Sequence, residues 1–210
     1  MKYKVILLLS ICNVFFMKNG NSQIIEEGTS IVTLGYGTPN MGKLIFNLLN
    51  NLSGKDNFTT TGFGPLSLKY EYMISDNVGV GTSFNFTSYN TTYTRTKDSF
   101  DLSGNLIGVF TTKYKYAAKN YSALFRLNYH FETEDENLDL YYGIGAGFRG
   151  NNIKLSSTPL DKSFSYSSNP FPIGFETSFG VRYFFTEKLG GYGEFGLGKA
   201  LLQVGVCYSL

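Results

Sequence analysis

Residues 191–210 read GYGEFGLGKALLQVGVCYSL, and the end of this stretch alternates strictly between two kinds of side chain. Leu202, Val204, Val206, Tyr208 and Leu210 are apolar, and the residues between them, Gln203, Gly205, Cys207 and Ser209, are small or polar. A period of two predicts a β-strand with one apolar face. A soluble domain rarely ends on such a strand, because its free edge would pair with other chains. We therefore predict a closed barrel in which the last strand pairs with the first.

The composition favours an all-β fold of one domain. The 210 residues include 24 Gly, 16 Tyr and 19 Phe, and charged residues make up 16%. Aromatic residues favour strands, and glycine favours turns. After the N-terminal leader no stretch approaches the roughly 18 consecutive apolar residues of a spanning helix, so a membrane crossing would use strands.

Residues 1–22 are predicted to be a secretory signal peptide, which leaves 23–210 as the barrel domain. Lys2 and Lys4 supply the positive start, an apolar core follows, and Ser22 is a small residue before the expected cut. Cys12 is preceded by Ile11, where lipidation requires a small residue, so we reject a lipoprotein.

Removal of the leader changes the charge balance. The leader contains three of the 18 basic residues and no acid, so 15 basic and 16 acidic residues remain, a formal charge of −1. The chain without its leader has no excess of positive charge, so its composition does not indicate nucleic-acid binding. Cys207 becomes the single cysteine, which excludes an intramolecular disulfide.

The mature sequence contains eight candidate strands whose connections differ in length. Short turns are expected at 75–77, 132–137 and 186–188, and long segments at 38–61, 90–118 and 150–170, the second with extensions of both flanking strands. This pattern predicts an eight-stranded antiparallel transmembrane up-and-down β-barrel with short periplasmic turns and longer extracellular loops. The predicted strands cover 30–37, 64–74, 78–89, 120–131, 138–149, 172–185 and a terminal hairpin that turns near residues 199–200.

A short amphipathic helix is plausible within the first long segment. Apolar residues between Leu44 and Leu52 follow helical spacing. Two interpretations stay open: a helix that caps the barrel mouth or lies in the outer interface, or an element that docks a partner.

The apolar face of the barrel is expected to contact lipid. Aromatic residues cluster at both ends of the predicted strands, as in the two girdles of outer-membrane barrels. The opposite phase is rich in glycine, which suits an interior just wide enough for side chains. That phase includes Gly79, Gly81, Gly143, Gly145, Gly147, Gly174, Gly180 and Gly205.

Six charged residues fall in the inward phase and are expected to pair inside the lumen. A buried unpaired charge costs several kcal/mol, so mutual pairing of these acids and bases is the favoured arrangement. Such a network would close the barrel as a polar plug; the alternative is a narrow or gated pore. The residues are Lys69, Glu71, Arg126, Glu176, Arg182 and Glu194.

An enzymatic site is not expected. His130 is the one histidine, and the predicted topology puts it at the periplasmic end of a strand, pointing inward, where we expect a structural role. The sequence shows no cysteine–histidine metal cluster and no phosphate-binding loop, so we expect no metal and no cofactor.

The chain resembles the small outer-membrane β-barrel proteins of Bacteroidota, which are built like OmpA, OmpX and OmpW barrels. The resemblance lies in TLGYGTPNMGKL (33–44), GPLSLKYEYMISDNVGVG (64–81) and residues 191–210. It implies an outer-membrane location in contact with lipid. It also implies that Tyr208 and Leu210 belong to the terminal signal read by the barrel-assembly machinery, although the usual last residue is Phe.

Three functions follow as hypotheses. The first is a non-enzymatic anchor whose long loops serve adhesion, envelope integrity or partner binding. The second is a narrow pore, or an OmpW-like passage for small hydrophobic molecules. The inward phase shows few apolar residues, Leu124 among them, which argues weakly against that passage. The third is a component of a secretion or assembly complex.

Overall fold

The computed structural model describes residues 25–40, 43–44, 47–48, 58–100, 103–104, 106–158, 162–166 and 172–210. The predicted signal peptide, 1–22, lies outside this part of the chain. Within the described ranges, no helix has both the length and the apolar character needed to cross a bilayer.

Nine β-strands account for most of the described chain, and every neighbouring pair is antiparallel. In chain order they are β1 (Ser30–Thr38), β2 (Phe58–Ser75), β3 (Val78–Phe100), β4 (Leu106–Phe131), β5 (Leu138–Thr158), β6 (Lys162–Tyr166), β7 (Ile173–Phe184), β8 (Leu189–Leu197) and β9 (Leu202–Ser209).

Eight of these strands form a closed ring, which confirms the predicted barrel. Each strand pairs with the next in sequence, except that β5 pairs with β7 and that β9 returns to β1. At this seam Ile31 lies opposite Ser209, and Thr38 lies opposite Leu202. The period-two stretch at the C-terminus is therefore the closing strand. β6 lies outside the ring and pairs with the outer part of β5.

Four strands are longer than the sequence predicted. β2 contains 18 residues and begins at Phe58, inside the predicted long segment 38–61, and three other strands are extended further. A tilted strand crosses a bilayer in about 9–11 residues, whereas β3, β4 and β5 contain 23, 26 and 21. The segment 90–118 does contain extensions of both flanking strands, as expected. The predicted loop 150–170 was wrong in its first part, because 150–158 continue β5 and 162–166 form β6. Main-chain hydrogen bonds between neighbouring strands hold these extensions together, and the stacked pairs Tyr93–Tyr114 and Tyr89–Tyr116 add side-chain contacts between β3 and β4.

The connections at one end of the ring are short, as predicted. They contain Asp76 and Asn77 after β2, Glu132 to Asn137 after β4, and Phe185 to Lys188 after β7. The start of β1 and the residue after β9 meet on this side of the barrel, since Leu210 donates its amide to the carbonyl of Ser30 at 2.9 Å. This is the periplasmic end in an outer-membrane barrel, and the strand extensions lie at the outer end.

A helical segment begins at the outer end, after β1. Lys43, Leu44, Asn47 and Leu48 are helical, and the rest of the predicted helix Leu44–Leu52 lies outside the described residues. Asn40 accepts a hydrogen bond from the Lys43 amide at 3.2 Å, as a helix N-cap does. Its Nδ2 also donates to the carbonyls of Phe63 and Ser88, so the cap is tied to the barrel rim.

The two faces of the ring differ as the alternation predicted. Apolar side chains point outward, for example Phe125, which is 60% exposed. Inward glycines make room for large neighbours: a Cβ on Gly35 would overlap the ring of Tyr192, and one on Gly180 would overlap the ring of Tyr141. The narrow lumen is thus filled by pairing small residues with large ones.

Candidate functional site

The lumen contains side chains in successive layers, and the layer nearest the short turns is apolar. A buried cluster closes this end, consisting of Ile25, Ile31, Met73, Phe184 and Cys207. The expectation of few inward apolar residues was therefore wrong at this end of the barrel. The sequence pattern did not reveal this cluster. Ile31, Met73 and Phe184 lie at the ends of their strands, and the inward positions next to them in each strand are polar.

Above the apolar layer, the carboxylates of Glu71 and Asp139 are bridged by two side chains, those of His130 and Arg182. His130 lies between them, with Nδ1 2.6 Å from Asp139 Oδ1 and Nε2 2.9 Å from Glu71 Oε1. Arg182 also bridges the two carboxylates: Nη1 donates to Asp139 Oδ2 at 3.0 Å, and Nη2 donates to Glu71 Oε2. Asn128 Nδ2 donates to Glu71 as well. Four strands are thus tied together by charged side chains.

A second cluster centres on Arg126. Its Nη1 donates to Glu176 Oε1 at 2.8 Å, and its Nη2 donates to Glu194 Oε1 at 3.1 Å. Lys69 Nζ lies 2.6 Å from the second oxygen of Glu194, and Lys199 Nζ lies 2.9 Å from the second oxygen of Glu176. Each carboxylate therefore contacts two cations.

Two tyrosines connect and cover these clusters. The Tyr141 hydroxyl donates to Glu194 Oε1 at 2.8 Å, and the Arg182 guanidinium lies 4.2 Å from the centre of the Tyr141 ring. Lys69 Nζ lies 4.6 Å from the centre of the Tyr192 ring. Such contacts stabilise cations that have lost their water.

The structure brings all six sequence-predicted lumen residues together. Lys69, Glu71, Arg126, Glu176, Arg182 and Glu194 are buried, and each takes part in an ion pair with a member of the two clusters. Sequence reasoning missed Asp139 and Lys199. Asp139 follows the same period as Gly143 and Gly145, so the alternation of β5 could have found it. Lys199 lies in a turn, where alternation gives no signal.

The two residues of the predicted assembly signal lie at the seam. Tyr208 pairs with Val32 of β1 and points outward. Leu210 follows β9 and is 67% exposed.

The clusters have the chemistry of a structural network. Both ring nitrogens of His130 contact carboxylates, so neither activates a hydroxyl or thiol nucleophile. In the described ranges, no group of three or more His, Cys, Asp or Glu residues has an arrangement that could hold a metal ion.

Comparison with known families identifies the chain. A family model described as "Outer membrane protein beta-barrel domain" matches residues 25–201. The chain belongs to this family and is an outer-membrane β-barrel protein. The comparison with curated proteins gives no match.

Several solved outer-membrane barrels are similar in overall structure. The N-terminal β-barrel domain of Pseudomonas aeruginosa OprF is 11% identical with a TM-score of 0.41, and the match covers 88% of this chain and 99% of that one. Yersinia pestis Ail, in complex with the heparin analogue sucrose octasulfate, is 17% identical with a TM-score of 0.42, covering 87% and 96%. P. aeruginosa OprG is 12% identical with a TM-score of 0.41, covering 90% and 99%. Structural similarity at these identities and TM-scores gives no information about the function of this chain.

Proposed function

We propose, from membership of this outer-membrane family, that the protein is a non-enzymatic membrane anchor with a closed lumen. In this proposal the outward apolar face contacts lipid, and the barrel carries the extended β3–β6 sheet as a surface for binding a partner outside the cell. The barrel-assembly machinery would recognise Tyr208 and Leu210 during insertion.

The ion-pair network across the lumen carries the proposal. Arg126 and Arg182 reach from one wall to carboxylates on other strands, and Arg182 is 2% exposed. A buried pair that loses one partner leaves an uncompensated charge, at a cost of about 3–5 kcal/mol. A solute passing through the lumen would have to separate several such pairs, and the apolar cluster below them adds a second barrier.

Charge is distributed unevenly between the two ends of the barrel. The described short-turn end contains Lys188 and eight acids: Glu26, Glu27, Asp76, Glu132, Glu134, Asp135, Glu136 and Glu187. Among the outer-end residues whose side chains are described are Asp98, the buried Lys199 and seven further bases: Lys43, Arg95, Lys113, Lys115, Lys119, Arg149 and Lys154. A basic outer surface attracts partners with negative charge, which supports a binding role for the extension.

Single-channel recording tests the closed lumen. The purified full chain is inserted into planar bilayers, and we expect no stepwise current. A conducting porin inserted into the same bilayers is the positive control for detecting current. Reproducible conductance steps from the unchanged protein would contradict the proposal and favour a narrow pore.

Shortening the sheet tests whether the anchor and the binding surface are separable. Replacing residues 95–112 with a two-residue Asn-Gly turn removes the tip of the β3–β4 hairpin and leaves the ring pairings intact. We expect the variant to insert and to show the usual shift in gel migration between unheated and heated samples. Loss of that shift would show that the extension is needed for the barrel itself.

A further inference from the structure

A polar cup opens above the charged clusters, inside the outer end of the barrel. This cavity has a volume of about 300 Å³, at the small end of the range for ligand sites. Its wall includes three amides, from Asn85, Asn120 and Asn151, and its base includes the Glu176–Lys199 ion pair. Because the charged clusters lie beneath, the cup is a blind pocket.

Asn85 is the most informative residue of the wall. It is 7% exposed, and its Nδ2 donates to Ser122 Oγ at 3.2 Å. Its Oδ1 accepts no hydrogen bond from any residue in the described ranges. A buried acceptor without a donor costs about 1–3 kcal/mol. A ligand in the cup that carries hydroxyl groups would supply this donor.

Tyrosines line the way from the cup to the outside. Tyr89 belongs to the wall of the cup, and its ring stacks on Tyr116 with centroids 6.0 Å apart. Tyr116 also lines a second cavity, of about 320 Å³, together with Tyr93 and Tyr114, whose rings stack at 4.8 Å. The stacked pair Tyr89–Tyr116 therefore joins the two cavities.

We propose that this mouth of the barrel binds a neutral carbohydrate, with one sugar ring in the cup and the next against the tyrosines. A sugar ring has hydroxyl groups at its edge and a C–H face above and below. Asparagine amides both donate and accept hydrogen bonds, which suits hydroxyl groups. Tyrosine offers an apolar face with a polar tip, which suits the C–H face of a ring.

The charges of the cup argue against other ligands. An apolar molecule would strip water from the amides without replacing their hydrogen bonds. A multiply charged anion would meet the Glu176 carboxylate at the base, and Lys199 there is already paired with it at 2.9 Å. Arg149 also lines the cup, so the binding of a simple anion is tested below as the competing result.

Binding can be measured by the protein's own fluorescence. The chain contains 16 Tyr and no Trp, so emission reports on tyrosines without interference. The full chain is folded in a detergent without a sugar headgroup, such as dodecylphosphocholine, and titrated separately with glucose, galactose, mannose, N-acetylglucosamine, maltose, lactose and sodium sulfate. We expect saturable binding of at least one sugar. Saturation-transfer NMR then identifies the ring protons in contact.

Two variants and two matched controls localise the site. Asn85→Leu removes the buried amide, and Tyr116→Ala removes the ring between the cavities. Each should weaken binding about tenfold or more, the effect of losing one good hydrogen bond or stacking contact. Asn152→Leu, on the outward phase of β5, and Tyr129→Ala, on the outward face near the short turns, should bind as the unchanged protein does. Gel migration of unheated samples verifies that each variant is folded.

Three results would overturn the inference: no sugar saturates the protein, sulfate binds while no sugar does, or Asn85→Leu binds as tightly as the unchanged protein. The inference goes beyond the proposed function, because the amides and tyrosines of the wall would hold a sugar whether or not the base of the cup is closed. Conductance measured on the same preparation separates the two, because current together with sugar binding would overturn the closed anchor and leave the sugar site standing.

Discussion

Arg126 of β4 and Glu176 of β7 form an ion pair at 2.8 Å although their strands are not hydrogen-bonded neighbours. β5 lies between them in the ring, and the pair passes over its Gly145, which is the cross-strand partner of both residues. Main-chain pairing holds each strand to its two neighbours, and ion pairs of this kind fix distances between strands further apart. The lumen network thus adds side-chain links between strands that main-chain pairing leaves unconnected.

Loss of Arg126 is expected to destabilise the barrel strongly. Arg126→Met leaves Glu176 and Glu194 buried with one cation fewer each, and we expect the free energy of unfolding to fall by about 3–5 kcal/mol. Urea unfolding in lipid vesicles, followed by tyrosine fluorescence, measures the change. Lys115→Met removes an exposed base from the outer extension and should have little effect. An unchanged urea midpoint for Arg126→Met would contradict the structural role of the network.

The pairing of small with large residues in the lumen is tested at Gly180. In Gly180→Ala the new methyl group overlaps the ring of Tyr141, and such overpacking typically costs about 1–3 kcal/mol. In Gly193→Ala the nearest side-chain atom is Val181 Cγ1 at 3.7 Å, an ordinary contact, so this control should be nearly neutral. The same unfolding measurement compares the two variants, and equal stabilities would argue against a tightly filled lumen.

The loss of stability caused by a charge on the outward face should depend on how deep the substituted residue lies in the bilayer. Phe125 lies on β4 between the outward-facing Tyr121 and Tyr129, and Tyr129 lies near the short turns; both Phe125 and Tyr129 are exposed on the outward face. Arginine on the lipid face costs about 2–4 kcal/mol at the bilayer midplane and about 0–1 near its edges. We therefore expect Phe125→Arg to lower the free energy of unfolding in vesicles more than Tyr129→Arg. The reverse order would contradict the placement of the membrane.

Deletion of Tyr208 to Leu210 tests the seam and the proposed assembly signal together. The truncation removes the pairings of Ser209 with Ile31 and of Tyr208 with Val32, and we expect unassembled protein in cell fractionation and on unheated gels. Leu210→Phe restores the usual terminal residue and preserves the strand, so it should insert at least as well as the unchanged chain. Normal insertion of the truncated protein would refute the assigned role of the terminus.

The fold could be predicted because the membrane-spanning parts of the strands have two different faces. Outward Val206 and inward Gly205 alternate in the sequence because lipid and a narrow lumen select different side chains. The outer ends of β3, β4 and β5 could not be located from this alternation. The extensions lack the apolar outward face that marks a membrane-spanning strand, because Lys113 and Lys115 occupy the phase that contacts lipid lower on β4. Cross-strand pairing and stacked tyrosines keep these residues in strands.

Members of the lumen clusters could be predicted where a charged residue stands among small or polar residues in the inward phase of a strand. Lys69 and Arg182 stand out because lumen positions beside them are small or polar. Lys199 did not stand out, because a lysine in a turn usually points to water. Its Nζ instead turns inward to Glu176, a contact that depends on the path of the turn between β8 and β9.

The seam between β1 and β9 has a consequence for the order of events during folding. Ile31 and Ser209 meet although most of the sequence lies between them, and contacts between such distant residues form slowly because a long loop must close first. Until β9 pairs with β1, both edges of the sheet are unpaired and attract other chains. A chain interrupted anywhere before residue 202 keeps those edges permanently. Aggregation should therefore be the characteristic fate of every C-terminally incomplete copy, whatever the fraction of the barrel it contains.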